Sequence, residues 1–127
     1  GDKYEITKKM PIVEGNASEQ IEQTIPLTKD EFIAISSCSK KRVVKDRYNI
    51  EIEGKMAEVD VFTEDLKGLV LMDFEFNTVH EKSVFKMPGL ALSDVTQEEF
   101  IAGGMLAGKT YNDISSELKR FNYRRVE

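Results

Sequence analysis

Three consecutive segments between residues 43 and 76 alternate apolar and polar side chains at period two, with short reversals between them. Successive side chains of a strand point to opposite faces, so this period marks strands whose two faces meet unlike surroundings. From Val43 to Glu53, Val44, Tyr48, Ile50 and Ile52 fall on one side and Lys45, Arg47, Asn49, Glu51 and Glu53 on the other. Gly54 marks a tight reversal into Met56–Phe62, where Ala57, Val59 and Val61 oppose Glu58, Asp60 and Phe62. Asp65-Leu66-Lys67-Gly68 makes a second reversal into Leu69–Phe76, with Val70, Met72, Phe74 and Phe76 opposing Asp73 and Glu75. The pattern predicts a three-stranded antiparallel meander with one dry apolar face and one charged face.

Residues 3–13 and 19–27 are weaker strand candidates, joined by the turn-rich Glu14-Gly15-Asn16-Ala17-Ser18. Thr28/Glu31, Thr78/Glu81 and Thr96/Glu99 each match the Thr-x-x-Glu capping box, in which hydroxyl and carboxylate satisfy the free amides of a first helical turn. Three helices are predicted to start there. Tyr111, Ile114, Leu118 and Phe121 lie on one helical stripe and predict a fourth. The class is therefore α+β with an antiparallel sheet and flanking helices. A chain of 127 residues with no repeat or Pro-rich linker has room for one core, so residues 1–127 are expected to form a single domain.

The balance of 18 Lys and Arg against 23 Asp and Glu, a formal charge of −5, argues against a surface built for nucleic-acid phosphates or anionic lipid. An anionic ligand would need a local basic site. Cys38 is the chain's one cysteine, which rules out an intrachain disulfide and fits a reducing compartment, so the cytoplasm is expected. No apolar run approaches the roughly 20 residues that span a bilayer, and Gly1-Asp2-Lys3 opens no signal-peptide apolar region.

The chemistry lies on the charged face. Lys45 and Arg47, two residues apart on a strand, project in parallel and would grip successive phosphoryl groups, Arg through its planar fork and Lys as a compact charge. Asp73 and Glu75 are likewise parallel, and hard carboxylate oxygens suit Mg²⁺ or Mn²⁺. Asp60 would add a third carboxylate. Alternation alone is also met by a solvated face laced with cross-strand ion pairs, as on most one-sided antiparallel sheets.

Other signals carry less. Gly103-Gly104-Met105-Leu106-Ala107-Gly108-Lys109-Thr110 spells a Walker A loop, whose mechanism needs a buried strand entering and a helix leaving. The 17 residues after Thr110 are too few for the parallel strands of such a fold, so a Gly-rich link between helices is expected, with Gly108 ending one and Thr110 capping the next. His80 and Cys38 have no nucleophile or ligand pattern around them. Lys119, Arg120, Arg124 and Arg125 interleave with Phe121 and Tyr123, but in an acidic chain they read as a solvated helix end.

Taken in order, Lys45-Asp46-Arg47-Tyr48, Glu58-Val59-Asp60-Val61-Phe62, Gly68-Leu69 leading into Asp73-Phe74-Glu75, and Asp94-Val95-Thr96 resemble the CYTH family of inorganic triphosphatases, thiamine triphosphatases and class IV adenylyl cyclases. Members carry a Lys-x-Arg-Tyr strand, an acidic residue before Val-Phe, a Gly-Leu turn into an acidic-x-Glu strand, and a later Glu-Val-Thr. Thr7-Lys8-Lys9 resembles the family's Thr-Ile-Lys strand, and Gln20–Leu27 its Arg-x-Glu-x-Glu strand, with Gln20 and Thr24 in place of charged residues. The family's Glu-x-Glu-x-Lys signature has no counterpart ahead of Thr7, so the chain is expected to lack the N-terminal strands. Glu51-Ile52-Glu53-Gly54-Lys55 matches those letters at a hairpin turn, out of order.

The resemblance implies an eight-stranded antiparallel triphosphate tunnel with the charged face inward, of which this chain would hold a part. Lys45, Arg47 and Asp60 would carry catalysis, Lys9 would join Lys45 and Arg47 in binding substrate, and Asp73 and Glu75, with Glu22 in support, would hold Mg²⁺ or Mn²⁺. The implied function is metal-dependent hydrolysis of inorganic or organic triphosphate, and the alternative is a noncatalytic module that binds polyphosphate or a phosphorylated ligand. The expected partner is a small-molecule triphosphate, not nucleic acid or membrane, and unpaired sheet edges would favour a homodimer.

Overall fold

The computed structural model describes residues 3–127, so Gly1 and Asp2 of the N-terminal reading lie outside the described residues. The chain divides into two compact units, one of residues 1–42 with 95–99 and one of residues 43–94 with 100–127. The class is α+β, with a two-stranded and a three-stranded antiparallel sheet and a few short helices. Both sheets are open, and no closed barrel is formed among the described residues.

In the first unit, β1 (Tyr4–Pro11) and β2 (Gln20–Leu27) pair over their full length. The connecting turn forms where Gly and Asn predict it. Gly15 takes φ 79°, and the Asn16 side chain accepts hydrogen bonds from the backbone N–H and the hydroxyl of Ser18. Gln97 fastens the same turn, accepting from Ala17 N–H at 3.2 Å and donating to Asn16 Oδ1 at 3.2 Å. Helix α1 (Lys29–Ser36) begins at Thr28 with the reciprocal Thr28/Glu31 box, and Phe32 sets its ring 5.2 Å from Tyr4 of the hairpin.

The second unit holds the meander β3 (Lys45–Ile52), β4 (Lys55–Phe62) and β5 (Val70–Phe74), in the order β3-β4-β5. Glu53 and Gly54 both take positive φ, 50° and 78°, the type I′ geometry whose twist suits a two-residue hairpin. A short 3-10 turn, Glu64–Leu66, makes the second reversal. Strand β5 stops at Phe74, so Glu75 and Phe76, expected inside it, lie just beyond the ladder.

The dry face is not where the alternation placed it. Tyr48 is 52% exposed and Ile50 is also exposed, whereas the core forms from Phe62, Leu66 and Leu69 with Leu106, Ile114 and Leu118. Phe62 shares its side of β4 with Asp60, so the helices pack against one end of the charged face. A two-residue period separates the faces and does not say which one is covered.

Helix α2 (Val79–Val84) starts at Thr78, whose hydroxyl accepts from Glu81 N–H, while the Glu81 carboxylate accepts from Asn77 N–H at 2.9 Å instead of closing the box. No α-helix starts at the Thr96/Glu99 box. The segment belongs to the first unit as far as Glu99, where Gln97 is committed to the hairpin turn, and Phe100 and Ile101 pack against the core of the second. That divided pull leaves only the 3-10 turn Glu99–Ile101. The Walker-like letters form the expected link: α3 (Gly103–Leu106), Gly108 at φ 81°, then Thr110 capping α4 (Tyr111–Lys119) reciprocally with Asp113. Helix α4 buries Ile114 and Leu118 of its predicted stripe.

Beyond α4 the chain returns to the β4–β5 turn. The Tyr123 hydroxyl donates to Gly68 C=O at 2.9 Å and accepts from Val70 N–H at 2.8 Å, and Val126 N–H donates to the same carbonyl at 3.0 Å. Gly68 is buried at φ 106°, and a Cβ built there would run into the Arg125 side chain. Both constraints require glycine. Gly68→Ala is expected to cost about 2 kcal/mol in urea denaturation, most of it backbone strain.

Candidate functional site

Pairing in register assembles the charged face. Arg47 stands opposite Asp60 across β3 and β4, and Glu58 stands opposite Asp73 across β4 and β5. The centre of the cluster is Asp60, which is 2% exposed and accepts from Arg47 Nε at 2.7 Å, Arg47 Nη2 at 2.9 Å and Lys45 Nζ at 2.5 Å. Arg47 also reaches Glu58 through Nη1 at 2.7 Å. Lys45 lies over the Phe62 ring, 5.6 Å from its centroid, which ties the site to the core.

These contacts occupy only part of each cation. A guanidinium has five N–H donors and an ammonium three, so donors on both remain for a further anion. The side chains of Lys45 and Arg47 are 36% and 44% exposed, which leaves those donors within reach of solvent. Asp60 thus aligns two cations while its own charge is spent within the sheet.

The electrostatics follow from this packing. Burial acts to raise the Asp60 carboxyl, but the hydrogen bonds and charges of Arg47 and Lys45 outweigh it and hold the group below the usual carboxylate range. Arg47 is pushed further into its protonated form, chiefly by the Asp60 hydrogen bond. Asp73 moves the other way. Its edge is open to solvent, yet the atoms crowded around its carboxyl raise it above the usual range, and the Asp60 charge adds to the effect.

Where β5 leaves the ladder, a cleft of about 380 Å³ opens between the starts of β4 and α2. Asn49, Met56, Glu58, Asp73, Glu75 and Glu81 are among its lining residues. Asp73 and Glu75 therefore line the same cleft as Glu58, the partner of Arg47. Among the described residues, no group of three His, Cys, Asp or Glu side chains converges as a metal-holding cluster.

The other two residues that the sequence nominated sit in the first unit. Lys9 and Glu22 are cross-strand partners on the β1–β2 hairpin, with Nζ and Oε1 3.2 Å apart, and Thr7 and Thr24 bond through their hydroxyls at 2.9 Å on the same face. Glu58 is the residue that sequence reasoning missed. Its position on the Asp60 side of β4 was legible from the alternation, but only the strand register reveals that it binds Arg47 and opposes Asp73. Aromatic groups near the basic residues after α4 are already engaged: Arg125 covers Tyr111, Arg120 covers Phe121, and the Tyr123 hydroxyl is bound to the turn. Among the described residues no helix is long and apolar enough to cross a membrane.

Fold and site together define an α+β protein with a buried carboxylate that organises two cations on a sheet face. No protein-family model and no curated protein matches the chain. Its structure is similar to the crystal structure of the hypothetical protein NE1496, with a TM-score of 0.61 and 27% identity, over 87% of this chain and 72% of that one.

Proposed function

We propose that the charged face of β3-β4-β5 binds the phosphoryl groups of a triphosphate and, with a divalent cation, hydrolyses it, as the resemblance to the CYTH family implies. The observation that supports this most directly is the grip of Lys45 and Arg47 on buried Asp60. A carboxylate so placed holds both cations in fixed positions, so a polyanion would meet preorganised donors and bear little ordering cost.

Asp73 and Glu75 fit the metal role by donor chemistry, since Mg²⁺ is commonly held by one or two carboxylates, with water and phosphate oxygens completing its shell. When bound, such a cation neutralises charge on the phosphoryl oxygens and polarises the scissile group. Lys45 and Arg47 would bind and orient the substrate, and Asp60 would position them.

The second reading is a noncatalytic module that binds polyphosphate or a phosphorylated ligand, favoured by the uncharged Gln20 and Thr24 at positions where the family carries charged residues. Mg²⁺-dependent phosphate release from tripolyphosphate separates the two. Arg47→Ala is expected to weaken tripolyphosphate binding by about tenfold or more, the equivalent of about 1.4 kcal/mol. Glu75→Ala is expected to raise the Mg²⁺ concentration needed for turnover and to leave metal-free binding intact. Indifference to both substitutions in calorimetry and phosphate release would sink the triphosphate reading.

A further inference from the structure

The pairing pattern of β5 shows which of its backbone groups face outward. Phe62 N–H donates to Leu69 C=O, so Leu69, Leu71 and Asp73 turn their backbone groups to β4, while Val70, Met72 and Phe74 turn theirs to the open edge. The Val70 N–H, first on that edge, is taken by the Tyr123 hydroxyl, whose other bond goes to Gly68. Val126 N–H and Arg125 Nε hold the same stretch through Gly68 and Lys67 carbonyls, both at 3.0 Å, and Arg125 is pinned 4.7 Å over the Tyr111 ring. The segment after α4 therefore lies across the start of an edge strand.

We propose that Tyr123–Val126 is an edge guard that keeps β5 from pairing with β5 of a second copy of this chain, and that releasing it exposes a self-complementary edge. An unpaired strand edge is a template for another strand, and proteins cover such edges. A second copy fits by its side chains. Antiparallel pairing about a two-fold axis at Met72 sets Val70 against the partner's Phe74 and Leu71 against the partner's Asp73. Apolar residues then meet on one face, and no like charges stand opposite on the other. Met72 and Val70 both turn their backbone groups outward, as this register needs. The guard blocks it at Val70, because one N–H cannot serve both the Tyr123 hydroxyl and a partner's carbonyl.

The test uses the full chain carrying Tyr123→Phe and Val126→Pro, which removes the hydroxyl and the Val126 donor and keeps the packed ring. Light scattering during size exclusion should give a monomer for the unsubstituted protein and twice that mass for the variant. Adding Met72→Pro, which deletes an outward N–H and spares the β4 ladder, should restore the monomer. A variant that stays folded and monomeric, an unsubstituted protein already dimeric, or a dimer indifferent to Met72→Pro overturns the proposal. Hydrogen exchange on the unsubstituted chain decides the matter independently if the variant fails to fold. Val70 should be protected and Met72 and Phe74 should exchange fast; protection of all three, or of none, overturns it.

Discussion

Asp60→Ala is expected to lower stability by about 2–3 kcal/mol and to abolish tripolyphosphate binding together. The carboxylate accepts three hydrogen bonds from charged donors, each worth about 1.5–3 kcal/mol before the exposed cations regain water. Lys45 and Arg47 are open enough to be rehydrated, which keeps the loss below the 3–5 kcal/mol typical of a wholly buried charge left alone. The same group sets a pH signature. Its folded pKa lies below the ordinary 3.8, so its contribution is fully present above that value and is lost as the pH falls through the folded pKa. Urea midpoints measured from pH 6 down to pH 2 should drop steeply below about pH 4 in the natural protein and less so in Asp60→Asn. Unchanged acid sensitivity in that variant would place the Asp60 interactions outside the stability balance.

Leu69→Ala is expected to cost about 3 kcal/mol and to lower the melting temperature by roughly 10 °C. Leu69 is 0% exposed and joins Phe62 and Leu66 to Leu106, Ile114 and Leu118. Its carbonyl accepts from Phe62 N–H, so the site of the cavity is backed by a paired strand that cannot collapse inward. The effect should extend to ligand binding, because Lys45 rests over Phe62 in that same cluster. Differential scanning calorimetry with and without tripolyphosphate checks both parts, and a melting temperature lowered by only a degree or two would contradict the packing.

Local signals accounted for much of the architecture. Period-two alternation placed β3, β4 and β5 and put Lys45, Arg47, Asp60 and Asp73 on one face, since side-chain direction along a strand depends only on position. Thr28/Glu31 started α1 and Thr110 capped α4, because a capping box is satisfied within four residues. The Thr96/Glu99 box has the same letters and made no α-helix. Gln97 and Phe100 serve different units, and that competition leaves no trace in local sequence.

By itself, then, the chain's order of residues determined the meander and the gathering of cations and carboxylates on one face, through periods that need no distant contact. Only the tertiary structure decided that Asp60 would be buried between Lys45 and Arg47, that Glu58 would join them, and that the core would cap the charged face and leave Tyr48 in solvent. Those outcomes depend on strand register and on where α4 and the segment after it return to the turn at Gly68. Contacts across some 55 residues of chain are set by global packing, which local patterns do not encode.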